Sequence, residues 1–187
     1  MVSAVAAGPA NLSVADRRLN AFETRLAQDS GNLRVAAEYW QPVIETSRYE
    51  RSIKLFERLA RDSRGGADRF LNRALANVDK VPVSGSVRRA LLGRDALDAL
   101  TRAIAIGPTD LAYLIRGLVN LYFDQFVFHR TDKGVADFET ARTLSDAHPQ
   151  VAYAPRILVA LDAGVRVDTT LRERFPELTR AAFKAVP

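Results

Sequence analysis

Side chains suited to catalysis are scarce in this sequence. Its 187 residues include two histidines, His129 and His148, and no cysteine. A metal site or a nucleophilic triad needs several such groups at a defined spacing, and no aspartate or glutamate stands where it would complete a metal motif with either histidine. We interpret both histidines as loop or helix-end residues and expect no catalytic and no metal-binding residue.

The sequence motifs of nucleotide-dependent and acyl-transfer enzymes are missing as well. The chain has no phosphate-binding loop, no dinucleotide fingerprint and no Gly-x-Ser-x-Gly turn. Without cysteine it can build neither a thiolate zinc site nor an iron–sulfur cluster. We therefore expect a protein that is not an enzyme and that needs no cofactor.

Composition and charge describe a folded, basic protein. Apolar residues make up 48% of the chain and charged residues 26%, close to the averages for globular domains. The formal net charge of +5 favours anionic partners. Acidic residues are interleaved with the basic ones, however, whereas nucleic-acid-binding proteins concentrate their cations. Another protein is the expected partner, and nucleic acid is the less favoured one.

Apolar residues recur at helical spacing along most of the chain, and strand-like alternation is missing. Capping residues, glycines and prolines divide this pattern into successive helices. The predicted helices cover about residues 14–28, 33–44, 49–62, 69–79, 87–106, 111–123 and 131–144, followed by one that ends near 163–164 and by two short ones. The longest apolar run, 111–123, contains Arg116 and Asn120, so no membrane span is expected.

Single residues mark several of these boundaries. Ser13 and Asn32 are predicted to cap the first two helices, and Thr109 or Asp110 to cap the sixth. Pro42 must kink or shorten the second helix, because proline lacks the amide hydrogen that a helix interior needs.

One segment carries a packing signature of small and bulky residues. Ala96 is followed by Leu100 four positions on, by Ala103 three further on and by Pro108 five further on. Small residues let neighbouring helices approach, the bulky residue fills the space between them, and proline ends the helix. This segment closely resembles the closing half of a tetratricopeptide repeat.

Neighbouring segments extend the resemblance to roughly residues 33–149. Tyr113 and Gly117 stand where this family places an aromatic and a small residue in an opening helix. Phe138 and Ala141 follow in the closing helix. A weaker match earlier in the chain consists of Trp40, Ser52, Phe56 and Leu59.

The resemblance implies an all-α fold of tetratricopeptide-like antiparallel helix pairs, arranged in a short right-handed array with capping helices. The resemblance is to a divergent bacterial member of the family, and it implies a role in protein binding. Some family members grip acidic peptide tails with Lys, Arg and Asn on successive first helices. Here the helix at 111–123 offers mainly Leu and Tyr, so that clamp is not carried over.

Two insertions depart from the repeat and are the first places to expect function. The loop 81–86 lengthens one unit, and residues 126–133 lengthen the next. The second insertion holds the first partner-binding candidates: Phe126, Phe128, His129 and Arg130. An aromatic stretch in that position is either packed beneath the repeat or covered by a partner, and both readings stay open.

Polar residues on two helices are further candidates. Asn72, Arg73 and Asn77 either line a concave groove, because the first helices of such repeats face inward, or cap and solvate their helix; both readings stay open. A basic stripe of Arg51, Lys54, Arg58 and Arg61 is interpreted as a solvated face, on which Glu50 and Glu57 pair with the cations four residues further on.

These observations predict a protein–protein interaction scaffold or an accessory subunit that docks onto a larger, and in one reading periplasmic, complex. Two alternatives belong to other classes. One is a basic helical-repeat protein that binds RNA or another polyanion through residues 48–73. The other is a small-molecule or lipid-binding helical module whose pocket wall is the aromatic insertion.

Residues 13–187 are expected to form a single helical-repeat domain, preceded by a flexible segment at 1–12. The triplet Ala4, Val5 and Ala6 has the form of a signal-peptide cleavage site. Two readings remain: this segment is the remnant of an export signal, or it is an ordinary terminus. Periplasmic or exported and cytoplasmic locations are therefore both open.

Overall fold

A computed structural model describes residues 13–61, 66–123 and 130–144 of the chain. Within these ranges every regular element is helical, which confirms the expected all-α class. The helices are α1 Val14–Gln28, α2 Leu33–Glu45, α3 Tyr49–Leu59, α4 Asp68–Lys80, α5 Ser86–Ile106, α6 Asp110–Phe123 and α7 Thr131–Leu144, with a 3-10 turn at Val81–Val83. The segment 1–12 and the helices predicted beyond 149 lie outside the described residues, and the expectations for them stay predictions.

The first two helices begin at the predicted caps. The Oγ of Ser13 accepts a hydrogen bond from the amide of Asp16 at 3.0 Å. The Oδ1 of Asn32 accepts one from the amide of Val35 at 3.0 Å. Each bond satisfies one of the amides that a helix start leaves without a partner, and each therefore fixes where its helix begins.

Pro42 lies inside α2 without ending it. The helix continues for three residues past the proline and ends at Glu45. The carbonyl of Pro42 then accepts hydrogen bonds from the amide of Thr46 at 3.2 Å and from its hydroxyl at 2.6 Å. Ser47 adopts a left-handed backbone with φ of 54° and turns the chain towards α3.

Helices that are neighbours along the chain pack against each other. The contacts run from α1 to α2, from α3 to α4 and then in order through α5, α6 and α7. Connections of a few residues between them give the antiparallel helix pairs that were expected. None of the helices described has the length and apolar character needed to cross a bilayer.

A continuous apolar core runs from α1 to α6. Its centre holds two aromatic contacts, in which the ring of Tyr39 lies 6.3 Å from that of Phe22 and 6.1 Å from that of Phe56. The repeat-signature residues belong to the buried set: Ser52, Phe56, Leu59, Ala96, Leu100, Ala103 and Ala141. These residues, selected by their spacing alone, lie in the core, whereas Trp40 and Tyr113 of the same signature are only partly buried.

One signature residue, Ala103, lies at a close contact between helices. It forms a small cluster with Ala60 and Phe70, on the side of α3 and α4. The end of α5 also passes close to the start of α4, since a Cβ placed on Gly107 would lie 3.5 Å from the Cβ of Ala67. A larger side chain at position 103 has no room in this contact.

The substitution Ala103→Leu should therefore lower the free energy of unfolding by about 1 to 3 kcal/mol, because added methyl groups overpack a close helix contact. Denaturant unfolding measures the change. The control is Ala105→Leu, two positions along the same helix, where the side chain is exposed and the stability should stay nearly constant. Equal stability of the two variants would contradict this packing.

Candidate functional site

Three helices enclose a polar cleft at the end of the described fold. Its volume is about 370 Å³. Helix α5 contributes Leu97 and Thr101, α6 contributes Arg116 and Asn120, and the start of α7 contributes Arg130, Lys133, Ala136 and Asp137. We call this feature the basic cleft.

The floor of the basic cleft is a buried ion pair between α6 and α7. Arg116 donates from Nε to Oδ2 of Asp137 at 2.9 Å and from Nη2 to Oδ1 at 2.6 Å. Asn120 donates from Nδ2 to Oδ2 at 3.1 Å. The Asp137 side chain is only 7% exposed, and the hydrogen bond that it accepts raises the pKa of Arg116. The charge of Asp137 is therefore already neutralised inside the protein.

The rim of the basic cleft is positively charged. Arg130 lies beside Asn120, with 3.4 Å between its Nη1 and the amide Oδ1. Lys133 is exposed and has no ion pair within the described residues. Three cations and one carboxylate give the lining a formal net charge of +2, and Asp132 lies in the same first turn of α7 as Lys133.

Helical spacing explains how these residues meet. Arg116 and Asn120 are four apart on α6, and Lys133 and Asp137 are four apart on α7, so each pair shares one face of its helix. Arg130 stands just before α7, and its carbonyl accepts a hydrogen bond from the amide of Gly134 at 2.9 Å. The first turn of α7 thus fixes the backbone at both cations of the rim.

The aromatic insertion that was predicted from the sequence is only partly described. Phe126, Phe128 and His129 lie outside the described residues, so their role in partner binding stays a prediction. Arg130, the fourth candidate in that group, lies on the basic cleft. Among the residues that the structure covers, no three side chains of His, Asp or Glu come together as a metal site would require.

The candidates on α4 require a correction. Asn72 is 1% exposed and donates from Nδ2 to the carbonyl of Ser30 at 3.1 Å. Asn77 is also buried and donates to the carbonyl of Arg73 at 3.0 Å. The two amides do not line an open groove, because they satisfy backbone carbonyls inside the fold. Arg73 is half-buried beside them.

The basic stripe on α3 is shorter than predicted. Arg51 is half-buried instead of fully solvated: its Nε donates to Glu23 at 2.6 Å and its Nη1 donates to Asp16 at 3.0 Å. The hydroxyl of Tyr39 donates to the same Glu23 at 2.9 Å, so this network ties α1 to α2 and α3.

The pairing expected along α3 also differs. Glu50 pairs with Lys80 and with Arg88, which lies 3.3 Å away, on the neighbouring helices, instead of with Lys54 one turn along its own helix. Lys54, Arg58 and Arg61 remain exposed, as predicted.

An apolar surface at the start of α5 escaped the sequence analysis. Val83, Val87 and Leu91 are spaced by four and are 61%, 78% and 39% exposed. The 3-10 turn is held by the buried Val81 and by a hydrogen bond from Ser84 Oγ to the carbonyl of Lys80 at 2.8 Å. Residue 83 is consequently directed outward. We call Val83, Val87 and Leu91 the apolar ridge.

Comparison with known proteins adds little to these observations. Neither the protein-family models nor the curated proteins match this chain. Among solved structures, the crystal structure of MamA is similar with a TM-score of 0.47 and 17% sequence identity, over 93% of this chain and 95% of that chain. Similarity of this degree says nothing about function, so the function has to be argued from the residues of this chain.

Proposed function

We propose that this chain is a non-catalytic protein-interaction module, a scaffold or accessory subunit, that holds an acidic segment of its partner in the basic cleft. The observation that supports this function is the charge of the cleft. Asp137 is neutralised by Arg116 beneath the surface, whereas Lys133 on the rim is exposed and lines the open volume. A carboxylate entering that volume gains charge-assisted hydrogen bonds, the strongest kind available to an exposed side chain.

The size and walls of the cleft suit a carboxylate on a short side chain. A volume of about 370 Å³ falls near the lower limit of ordinary ligand pockets, which measure about 300 to 1,000 Å³. Leu97 and Ala136 offer an apolar wall for the methylene groups of a glutamate. The cleft is therefore suited to one or two acidic side chains of a partner, while the remainder of the interface lies outside it.

Binding of a fluorescein-labelled hexaglutamate peptide to the full chain tests this proposal. We expect saturable binding at low ionic strength that weakens as salt screens the charges. Hexaglutamine, which has the same backbone without the charges, should bind at least about tenfold more weakly. Lys133→Glu should weaken hexaglutamate binding by about tenfold or more, because it reverses the sign of a charge on the rim.

The matched control is Lys54→Glu, which changes the same kind of exposed residue on α3. Hexaglutamate binding should be nearly unaffected by this variant. If the two variants weaken binding equally, the peptide recognises overall charge and the proposal fails. Absence of hexaglutamate binding at low salt also refutes it.

The same variants address the alternative of polyanion binding. Lys54, Arg58 and Arg61 are exposed within the 48–73 region to which that alternative assigns the contact. A phosphate-binding surface there predicts that a single-stranded oligonucleotide binds with a steep salt dependence and loses affinity in Lys54→Glu. The lipid or small-molecule alternative depends on aromatic residues outside the described ranges and stays a prediction.

A further inference from the structure

The apolar ridge and the basic cleft lie on one face of one helix. At 100° per residue, Val87, Leu91, Arg94 and Thr101 fall within about 80° of each other around α5. Thr101 lines the cleft and Val87 belongs to the ridge. The core residues Ala96, Leu100 and Ala103 lie on the opposite side of α5. The two surfaces are thus the two ends of a single exposed face.

The stretch between the two surfaces is open and carries balanced charge. Arg94 is exposed, and within the part of the chain that the structure describes it pairs with the adjacent Asp95, at 3.6 Å. Asp98, four residues further on, is exposed on the same face. From Val87 to Thr101 the face is about 21 Å long, at 1.5 Å per residue.

We infer that this face docks an amphipathic helix of the protein partner, with apolar side chains on the ridge and a carboxylate in the basic cleft. This inference rests on the proposed function and adds the shape of the partner. Side chains spaced by four form a row that fits the groove of a second helix. A partner helix of about 14 residues covers 21 Å, and it removes from water an apolar row that is otherwise open to solvent.

The charges along the face argue against a second copy of α5 as the occupant. Arg94 and Asp98 on this face cancel each other, so a second copy would bring no net negative charge to the basic cleft. Complementary charges across an interface favour the correct partner. The face therefore favours a different chain, one that carries acidic residues at one end.

A synthetic helical peptide of about 18 residues tests the inference, because it is long enough to span the whole face. One half carries leucines spaced by four and the other half carries glutamates, and both orders of the two halves are made. We expect one order to bind the full chain at least about tenfold more tightly than hexaglutamate does. Val87→Ser should remove about that tenfold gain and leave hexaglutamate binding unchanged.

The matched control is Ile106→Ser, which removes an exposed apolar side chain from the other end of α5. Both residues are exposed, so melting temperatures should stay close to that of the parent chain. The inference is overturned if Val87→Ser has no effect on the long peptide, or if Ile106→Ser weakens it equally. It is also overturned if neither order of the peptide binds more tightly than hexaglutamate.

A photo-crosslinker at position 87 distinguishes a bound partner helix from a segment of the same chain as the occupant of the apolar ridge. Crosslinking to the leucine half of the bound peptide supports the inference. Crosslinking to residues 145–187 of the same chain overturns it, since the ridge is then already covered. Failure of the proposed function gives a different result from failure of this inference. In that case hexaglutamate binding and its dependence on Lys133 are lost, while Val87→Ser still weakens binding of the long peptide.

Discussion

The substitution Asp137→Ala should lower the free energy of unfolding by about 3 to 5 kcal/mol, although it removes only one small side chain. Its carboxylate accepts three hydrogen bonds, two from Arg116 and one from Asn120, and is almost fully shielded from water. Removing one partner of a buried ion pair leaves the other charge in a poorly solvated position. Urea unfolding followed by circular dichroism measures the loss.

An exposed ion pair provides the comparison. Arg18 and Glu45 lie 3.1 Å apart, but their side chains are 51% and 47% exposed. Solvent and salt screen such a pair, so Arg18→Ala should cost no more than about 1 kcal/mol. If Asp137→Ala costs as little as Arg18→Ala, the ion pair does not form the floor of the basic cleft.

The substitution Phe56→Ala should destabilise the protein by a similar amount, about 3 to 5 kcal/mol. The ring is 1% exposed, belongs to the core shared by α1 to α6 and meets Tyr39 edge-on at 6.1 Å between ring centroids. Truncation leaves a cavity and removes an aromatic contact, and the surrounding helices can refill that space only in part. Thermal and urea unfolding should show the same ranking of variants.

Val14→Ala is the control for this loss, because Val14 is a large apolar residue that lies exposed at the start of α1. It should change the stability by less than about 0.5 kcal/mol. A small effect of Phe56→Ala would mean that the ring is not a central core residue, and it would remove one of the residues on which the repeat resemblance depends.

Local chemistry accounts for the success of the helix predictions. All seven described helices begin within one residue of the predicted position. At α1, α2 and α6 the reason is a side-chain cap, which acts over three or four residues. The amide of Ala112 bonds to Thr109 Oγ1 at 3.2 Å, which settles the cap of α6 in favour of Thr109. Ala96 and Leu100 were recognised from spacing alone, since close helix packing requires small residues at repeated positions.

The candidate site was harder to predict, because it depends on contacts between distant residues. Asp137 bonds to a side chain 21 positions earlier, and Arg51 bonds to Glu23, which is 28 positions earlier. No local pattern distinguishes these residues from ordinary surface charges. The expected pair of Glu50 with Lys54 was wrong for the same reason, as tertiary neighbours offered closer partners.

Exposure is a second property that periodicity does not reveal. Asn72 and Asn77 were selected as polar residues on a helix, yet both side chains are turned into the fold and bind carbonyl oxygens. Val83, in the insertion 81–86, and Val87, at the start of the next predicted helix, were not selected from the sequence, yet both are exposed apolar side chains. Only the arrangement of neighbouring helices determines which side of α4 or α5 is covered.

The order in which the helices pack also determines how the basic cleft responds to thermal motion. Among the described helices, α7 packs chiefly on α6, so it can detach while the core from α1 to α6 stays intact. Such a local opening requires less free energy than global unfolding, and it separates Lys133 from Thr101. A ligand that bridges α5 and α7 has to close this opening before it is held. Ligand binding should therefore appear first as slower amide hydrogen exchange along α7, before the melting temperature of the whole chain changes.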